Sequence, residues 1–281
     1  MNKHPFELPV TGDRTIRGDF YPCISGASSA TIIVCHGFKG FKDWGMFPFV
    51  GKQLSIDFDT VLFNFSMNGV GASLTEFDEL EKFAGNTFSR ELEDLDAVVQ
   101  FVREGGLLSG AEAAARPIVL LGHSRGGGLA IIYAAEHAKS VSGVISWNGT
   151  TDFRAIFPEN VQREMKEAGR SWIENARTKQ RMPLDVEILD DLDANAERFD
   201  IVKRAAALEV PLALIQGTND YARLIEGSKR LKTACRNVDW LRIDGGDHTF
   251  GAKHPFVESP KPLAEAIRVT KQWVNRKVIH R

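Results

Sequence analysis

A chain of 281 residues can bury one substantial core, and its length sets an expectation of one or two domains. Lys+Arg 35 against Asp+Glu 37 leaves a formal net charge of -2, which excludes the basic footprint of a nucleic-acid binder. Hydrophobic residues at 43% and charged residues at 26% are ordinary for a soluble globular protein, and no apolar run is long enough to span a bilayer, so stable membrane insertion is not expected.

The opening residues MNKHPFELPV have no apolar h-region and no small-residue cleavage site, so no signal peptide is expected. Cys23, Cys35 and Cys235 are odd in number and widely spaced. They read as reduced, mostly buried thiols rather than a disulfide framework or zinc knuckle. A cytoplasmic location is the resulting expectation. The oligomeric state is left open.

The first predicted strand is Thr15 to Tyr21, before a small-residue turn at Ser25–Ser29. ATIIVC, closing at Cys35, and TVLFNFS, from Thr60 to Ser66, are short apolar runs of the buried-strand type; the glycine-punctuated loop Met67–Ser73 follows the second. Phe88, Leu92, Leu95, Val99 and Val102 then recur at helical spacing, with Glu91, Glu93, Asp94 and Arg103 between them. A loop around Gly105, Gly106 and Gly110 ends that helix. PIVLLGHS is the third buried strand, and a helix follows from Gly128. The fourth strand ends near Trp147 and the fifth near Gly217. A helix from about Ala222 to Thr233, the sixth strand NVDWLRID and a closing helix from about Pro262 to Val278 complete the series. Leu263, Ile267, Thr270, Val274 and Val278 form the inner stripe of that last helix. Strands alternating with helices predict an α/β fold: a mostly parallel sheet covered on both faces.

Residues 151–195 interrupt this rhythm within what otherwise reads as a single domain over 1–281. Val161, Met165, Ala168 and Trp172 make an apolar stripe ahead of the acidic Asp190, Asp191 and Asp193. Two readings stand: a surface helix with an ordinary buried face, or a small lid over the carboxyl ends of the strands. The small lid is the expectation. Phe153, Phe157, Met165, Trp172 and Phe250 are then candidates for the substrate pocket.

Gly122–His123–Ser124–Arg125–Gly126 fits G-x-S-x-G. The pattern alone is weak, but here it lies between the strand PIVLL and an apolar helix, where a sharp turn would hold the Ser124 hydroxyl clear of the backbone. Gly126, Gly127 and Gly128 in succession cost helix stability, about 1 kcal/mol each relative to alanine, which a purely structural turn has little reason to accept. Ser124 is therefore the candidate nucleophile, and a hydroxyl needs an adjacent base. Of seven histidines, His248 follows the last strand in Gly245–Gly246–Asp247–His248 and is the candidate base, with His254 the competitor. His4 and His280 lie at the termini, and His137 lies at the far end of the nucleophile helix. Asp220, in Gly217–Thr218–Asn219–Asp220 after the fifth strand, is the candidate acid that fixes the imidazole tautomer. Asp152, after the fourth strand, is its rival. Asp244 and Asp247 lie too close to His248 in sequence to be favoured, although Asp247 can hydrogen-bond within its loop. The oxyanion donors expected are the backbone N–H groups of Arg125 and of Phe38, which follows His36–Gly37. His36 reads as a loop-stabilising residue, and the Arg125 side chain as solvated.

Gly69–Val70–Gly71 does not complete G-x-G-x-x-G, because Leu74 stands in the last position, and no phosphate-binding P-loop occurs. No metal-ligand motif is present either, so neither cofactor nor metal is expected.

His36-Gly37-Phe38, Gly122-His123-Ser124-Arg125-Gly126-Gly127, Gly217-Thr218-Asn219-Asp220 and Gly246-Asp247-His248 together resemble the α/β-hydrolase superfamily over nearly the whole chain. Within it the chain is similar to bacterial esterases related to dienelactone hydrolases, cinnamoyl (feruloyl) esterases and serine aminopeptidase-like hydrolases. The resemblance implies an α/β-hydrolase fold, residues 151–195 as a lid, Phe38 and Arg125 as oxyanion donors, and a carboxylesterase acting on short-chain or aromatic esters. Dienelactone hydrolases proper use cysteine where this chain has Ser124, which argues against that activity, and serine in place of aspartate argues against a dehalogenase. A peptidase, amidase or thioesterase would use the same machinery. A non-catalytic binding protein on a hydrolase fold is the remaining alternative.

Overall fold

The computed structural model describes residues 3–26, 28–107, 115–176, 178–235 and 237–280; Gly110 lies outside the described residues. Its strands are β1 (His4–Pro9), β2 (Thr15–Tyr21), β3 (Thr31–Cys35), β4 (Asp59–Asn64), β5 (Ile118–His123), β6 (Gly143–Trp147), β7 (Arg170–Glu174), β8 (Arg181–Asp185), β9 (Leu212–Gly217) and β10 (Val238–Ile243). The helices described are α1 (Phe47–Leu54), α2 (Leu80–Ala84), α3 (Phe88–Arg103), α4 (Arg125–Glu136), α5 (Glu159–Ala168), α6 (Glu187–Ala194), α7 (Ile201–Ala206), α8 (Ala222–Ala234) and α9 (Lys261–Val274).

Eight strands form one sheet in the order β1-β2-β4-β3-β5-β6-β9-β10. Only the β1–β2 and β2–β4 pairings are antiparallel. The central strands β3, β5, β6 and β9 are buried along their whole length, which explains their continuous apolar runs. Successive residues still point to opposite faces. Leu120, Val144 and Leu214 meet α3 and α4 on one side, while Leu121, Ile145 and Ile215 meet α1 and α9 on the other. Among the described residues, no helix is long and apolar enough to cross a membrane.

The alternation expected from sequence is present, with instructive differences. Helix α4 begins at Arg125, not Gly128, so its three glycines occupy the first turn beside the sheet. The closing helix ends at Val274 and gives way to a π-turn over Asn275–Ile279. On α3 the expected apolar stripe is buried, and Thr87 caps its start by accepting a hydrogen bond from the Arg90 N–H. Glu91 and Asp94 are buried on the same helix.

The segment 151–195 is not one amphipathic helix. Helix α5 is followed by the antiparallel hairpin β7–β8 and then α6. Val161 and Met165 face the core shared with α3 and α4, Ala168 is exposed, and Trp172 sits on the hairpin at 38% exposure beneath the Arg181 guanidinium. The expected four-residue stripe therefore breaks at Gly169, whose left-handed φ of 79° closes the helix. Arg170 fastens the hairpin, pairing with Asp185 at 2.5 Å and Glu81 at 2.8 Å.

Where β5 meets α4 there is no space for a side chain. A Cβ on Gly122 would stand 2.0 Å from the Gly126 carbonyl oxygen, and one on Gly126 would stand 2.4 Å from that of Cys35. Backbone cannot yield as a side-chain tip can. Gly122→Ala should therefore lose about 3 kcal/mol or more in urea unfolding. Gly128→Ala, whose Cβ meets the movable Ile201 and Phe153 side chains at 2.8 Å and the Thr150 carbonyl oxygen at the wider distance of 3.1 Å, should lose less. Equal unfolding midpoints for the two variants would contradict this account.

Candidate active site

Ser124 occupies the single residue between β5 and α4 with φ 55°, a left-handed conformation that costs a serine about 1–3 kcal/mol. Backbone bonds hold it there. Its N–H donates to Trp147 O at 2.9 Å, and its carbonyl accepts from Gly127 and Thr150 at 3.1 and 3.0 Å. Ser124 Oγ lies 3.0 Å from His248 Nε2, and His248 Nδ1 lies 2.9 Å from Asp220 Oδ1. These three residues, each from a loop at the carboxyl end of β5, β9 or β10, thus form one hydrogen-bonded chain. The Asp220 carboxylate is fully buried and further satisfied by Tyr221 N–H at 2.7 Å and Gln216 Nε2 at 2.6 Å.

The rivals lie elsewhere. Asp152 is exposed and accepts from the N–H groups of Arg154 and Ala155. His254 accepts from the Gly45 N–H at 2.8 Å and stacks on Trp44. Asp247 turns into its own loop and accepts from the N–H groups of Thr249 and Gly251.

Sequence reasoning missed two buried amides that hold this geometry. Asn148 donates to the backbone carbonyls of Asp247 and His248 at 3.1 and 2.9 Å, while its oxygen accepts from Gln216 Nε2 and the Gly217 N–H at 3.0 and 2.8 Å. Gln216 in turn accepts from the Ser228 hydroxyl at 2.7 Å. The available signal was a glutamine inside the otherwise apolar run VPLALIQG, since a buried amide must find partners. His123 adds a third tie, its Nε2 2.8 Å from the His248 carbonyl oxygen.

The loop after β3 lies against the serine: a Cβ on Gly37 would stand 3.0 Å from Ser124 Cβ. His36 stabilises this loop, its Nδ1 2.9 Å from Gly37 O and its Nε2 accepting from the Phe65 N–H at 3.4 Å. Desolvation holds the His36 pKa down at about 4 and that of His123 at about 3, so both rings are neutral near pH 7. The backbone N–H groups of Phe38 and Arg125 donate to no acceptor among the described residues.

The Arg125 side chain is not solvated, contrary to expectation. It is 3% exposed, pairs with Glu91 at 2.7 Å, donates to Asn86 O at 3.2 Å, and lies over the Phe88 ring at 4.1 Å. Burial pushes the Glu91 carboxyl up to about 7, against the pull of Arg125, and lowers the Arg125 pKa. Helical periodicity placed Glu91 among polar residues and could not reveal its partner 34 positions away.

A cleft of about 240 Å³ opens over Ser124 and His248, walled by Phe38, Trp44 and Phe47 and by Asn175 and Ala176 from the β7–β8 turn. None of the five residues expected to form the pocket lines this cleft, whereas Phe38, expected there for its backbone N–H, does. Phe153 stacks on Phe88 and Phe157 packs edge-on against Phe38 from the core side; Met165 is fully buried. Phe250 packs on Trp147 across the sheet, and Trp172 points to the surface. The alternation of faces and the hairpin, neither fixed by residue type, account for these corrections.

A family model described as the alpha/beta hydrolase fold matches residues 30–200. Among solved structures, the chain is similar to Est1E from Butyrivibrio proteoclasticus with ferulic acid bound: TM-score 0.72, 16% identity, 97% of this chain and 99% of that one. It is also similar to dienelactone hydrolase from Anabaena variabilis ATCC 29413 (0.62, 13%, 99% and 98%). A soluble variant of monoglyceride lipase from Saccharomyces cerevisiae in complex with a substrate analogue gives 0.72, 15%, 99% and 96%. At these identities the likeness is one of fold. No curated protein matches the chain in sequence.

The two buried neutral histidines make stability pH-dependent. Their folded pKa values lie below the ordinary value near 6.5, so the unfolded chain binds more protons between about pH 6.5 and the folded values. Their contribution is complete above pH 6.5 and is lost as pH falls toward 4. His36→Gln should flatten that decline by about 3 kcal/mol, at about 1.4 kcal/mol per unit of depression. Urea midpoints from pH 7.5 to 4.5 measure it; parallel curves for the two proteins would refute it.

Proposed function

The chain belongs to the α/β-hydrolase family, and on that premise we propose that it is a serine carboxylesterase acting on short-chain or aromatic esters through Ser124, His248 and Asp220. One observation carries the reading: the hydrogen-bonded line from Ser124 Oγ through both His248 ring nitrogens to a buried carboxylate, opening on a cleft. As Ser124 Oγ attacks the ester carbonyl carbon, His248 Nε2 takes its proton. Asp220 stabilises the imidazolium and keeps the proton on Nδ1. The carbonyl oxygen gains the negative charge and is received by the N–H groups of Phe38 and Arg125. Collapse expels the alcohol, protonated by His248, and leaves an acyl-serine. Water, deprotonated by the same imidazole, then releases the acid and restores Ser124.

A small cleft with aromatic walls suits a short aliphatic or single-ring acyl group better than a long lipid chain. The ferulic acid held by Est1E is consistent with such an acyl group on this fold. The hairpin turn at Asn175–Ala176, rather than the α5 stripe, is the part of the proposed lid that meets substrate.

Ser124→Ala should lower kcat on p-nitrophenyl acetate by at least about 10³-fold and abolish labelling by a fluorophosphonate, with circular dichroism unchanged. Near-normal turnover with contamination excluded would defeat the assignment. Asp220→Asn should lower kcat by about 10³–10⁴-fold, because the carboxylate that fixes the imidazole tautomer and stabilises the imidazolium is gone. Asp152→Asn should change it by less than about threefold. A larger loss at Asp152 than at Asp220 would reverse their roles.

A further inference from the structure

Lys39 is in an unusual place for a lysine. The turn closed by Gly40 N–H on Gly37 O at 3.0 Å puts it at the third position with φ 56°, a left-handed conformation that glycine adopts without strain. The conformation costs lysine about 1 kcal/mol, which glycine at this position would not incur. Lys39 lines the same cleft as Ser124, whose other walls are mainly Phe38, Trp44 and Phe47. Its ammonium donates to one backbone carbonyl, Glu174 O, at 3.2 Å. No carboxylate among the described residues pairs with it, and the Glu174 carboxylate is engaged by Lys179 at 3.1 Å. The cleft thus carries a half-buried cation, 5.7 Å from the Phe38 ring centroid, whose one hydrogen bond among the described residues goes to a neutral carbonyl.

A strut between the oxyanion loop and the hairpin would need only a neutral donor. An ammonium beside apolar walls is costly unless an anion comes to it. We propose that Lys39 recognises a carboxylate on the substrate, so that the preferred esters carry a free carboxylate a few bonds from the scissile carbonyl. This rests on the serine-esterase reading. The carboxylate can belong to the acyl group or to the alcohol, and the same cation would serve either. Desolvation lowers the Lys39 pKa even against the pull of the Glu174 carboxylate, and an arriving anion opposes that effect.

The test compares kcat/KM in two pairs: monoethyl glutarate against ethyl valerate for the acyl side, and 4-acetoxybutanoate against butyl acetate for the alcohol side. Wild type should prefer the anionic member of at least one pair. Lys39→Met and Lys39→Gln should lower that preference by about ten- to a hundred-fold, the range of a charge-assisted hydrogen bond. Lys39→Arg should retain most of it, and Lys39→Glu should turn it toward the neutral ester. Lys39→Gln keeps a donor for Glu174 O, so it separates recognition from bracing, and thermal unfolding of each variant reports folding independently. Equal or greater activity on both neutral esters in wild type, or an unchanged ratio in the Gln variant, overturns the proposal while leaving the esterase reading intact. A wild-type chain that hydrolyses none of the four and resists the fluorophosphonate overturns both.

Discussion

Strand β5 and helix α4 come together at Gly122 and Gly126 so closely that neither position has room for a Cβ, and the rest of the site takes its geometry from that approach. The chain must pass from strand to helix within one residue, which forces Ser124 to a positive φ and directs its hydroxyl away from the sheet. Because Gly126 also lies against the Cys35 and His36 carbonyls, the loop carrying Phe38 is drawn to the same place. One steric requirement therefore sets both the proposed nucleophile and the proposed second oxyanion donor.

The proposed acid–base side of the site is organised differently, by polar satisfaction. Asp220 and His248 sit on separate loops, and small shifts in either would break a 2.9 Å hydrogen bond. Asn148 and Gln216 remove that freedom. They join the end of β6, the end of β9 and the His248 loop through bonds of 2.6–3.1 Å, within a buried setting where a lost partner costs about 1–3 kcal/mol. The Asn148 backbone itself has φ 47°, so its side chain is aimed by a second strained turn at the same rim. Rigid apolar packing fixes one partner of the site, and a fully bonded polar network fixes the other two.

This difference explains what could be read from the sequence. Glycine spacing around Ser124, apolar runs of strand length and the order Ser124, Asp220, His248 are local signals, and the sheet follows from them. Strand β1 was missed because HPFELP contains two prolines and pairs only at the sheet edge, where proline is tolerated. The pocket was misread for a more general reason. Phe153, Phe157, Met165 and Phe250 are apolar residues near the site in sequence, but the core competes for such side chains and won all four. The cleft is instead walled partly by Trp44, Phe47 and Asn175, which lie on an unpredicted helix, its approach and a hairpin turn. Nothing in residue type alone says which aromatic faces the core and which faces the ligand.

Arg125 and Glu91 pose the sharpest energetic question, since placing two ions in the interior costs several kcal/mol apiece before their attraction is counted. Burial raises the Glu91 pKa despite the pull of Arg125, so desolvation offsets much of the attraction within the pair. Its effect is better described as a constraint. The guanidinium lies 4.1 Å from the Phe88 ring and 5.8 Å from the Phe38 ring, and donates to the Asn86 carbonyl. It thereby joins the start of α3, the loop after β3 and the start of α4. Two of those three segments bear the N–H groups proposed to receive the oxyanion. Removing either ion alone would strand the other in the core at about 3–5 kcal/mol, which penalises any arrangement that separates the segments. A buried pair that contributes little to stability can in this way narrow the range of positions open to both amides.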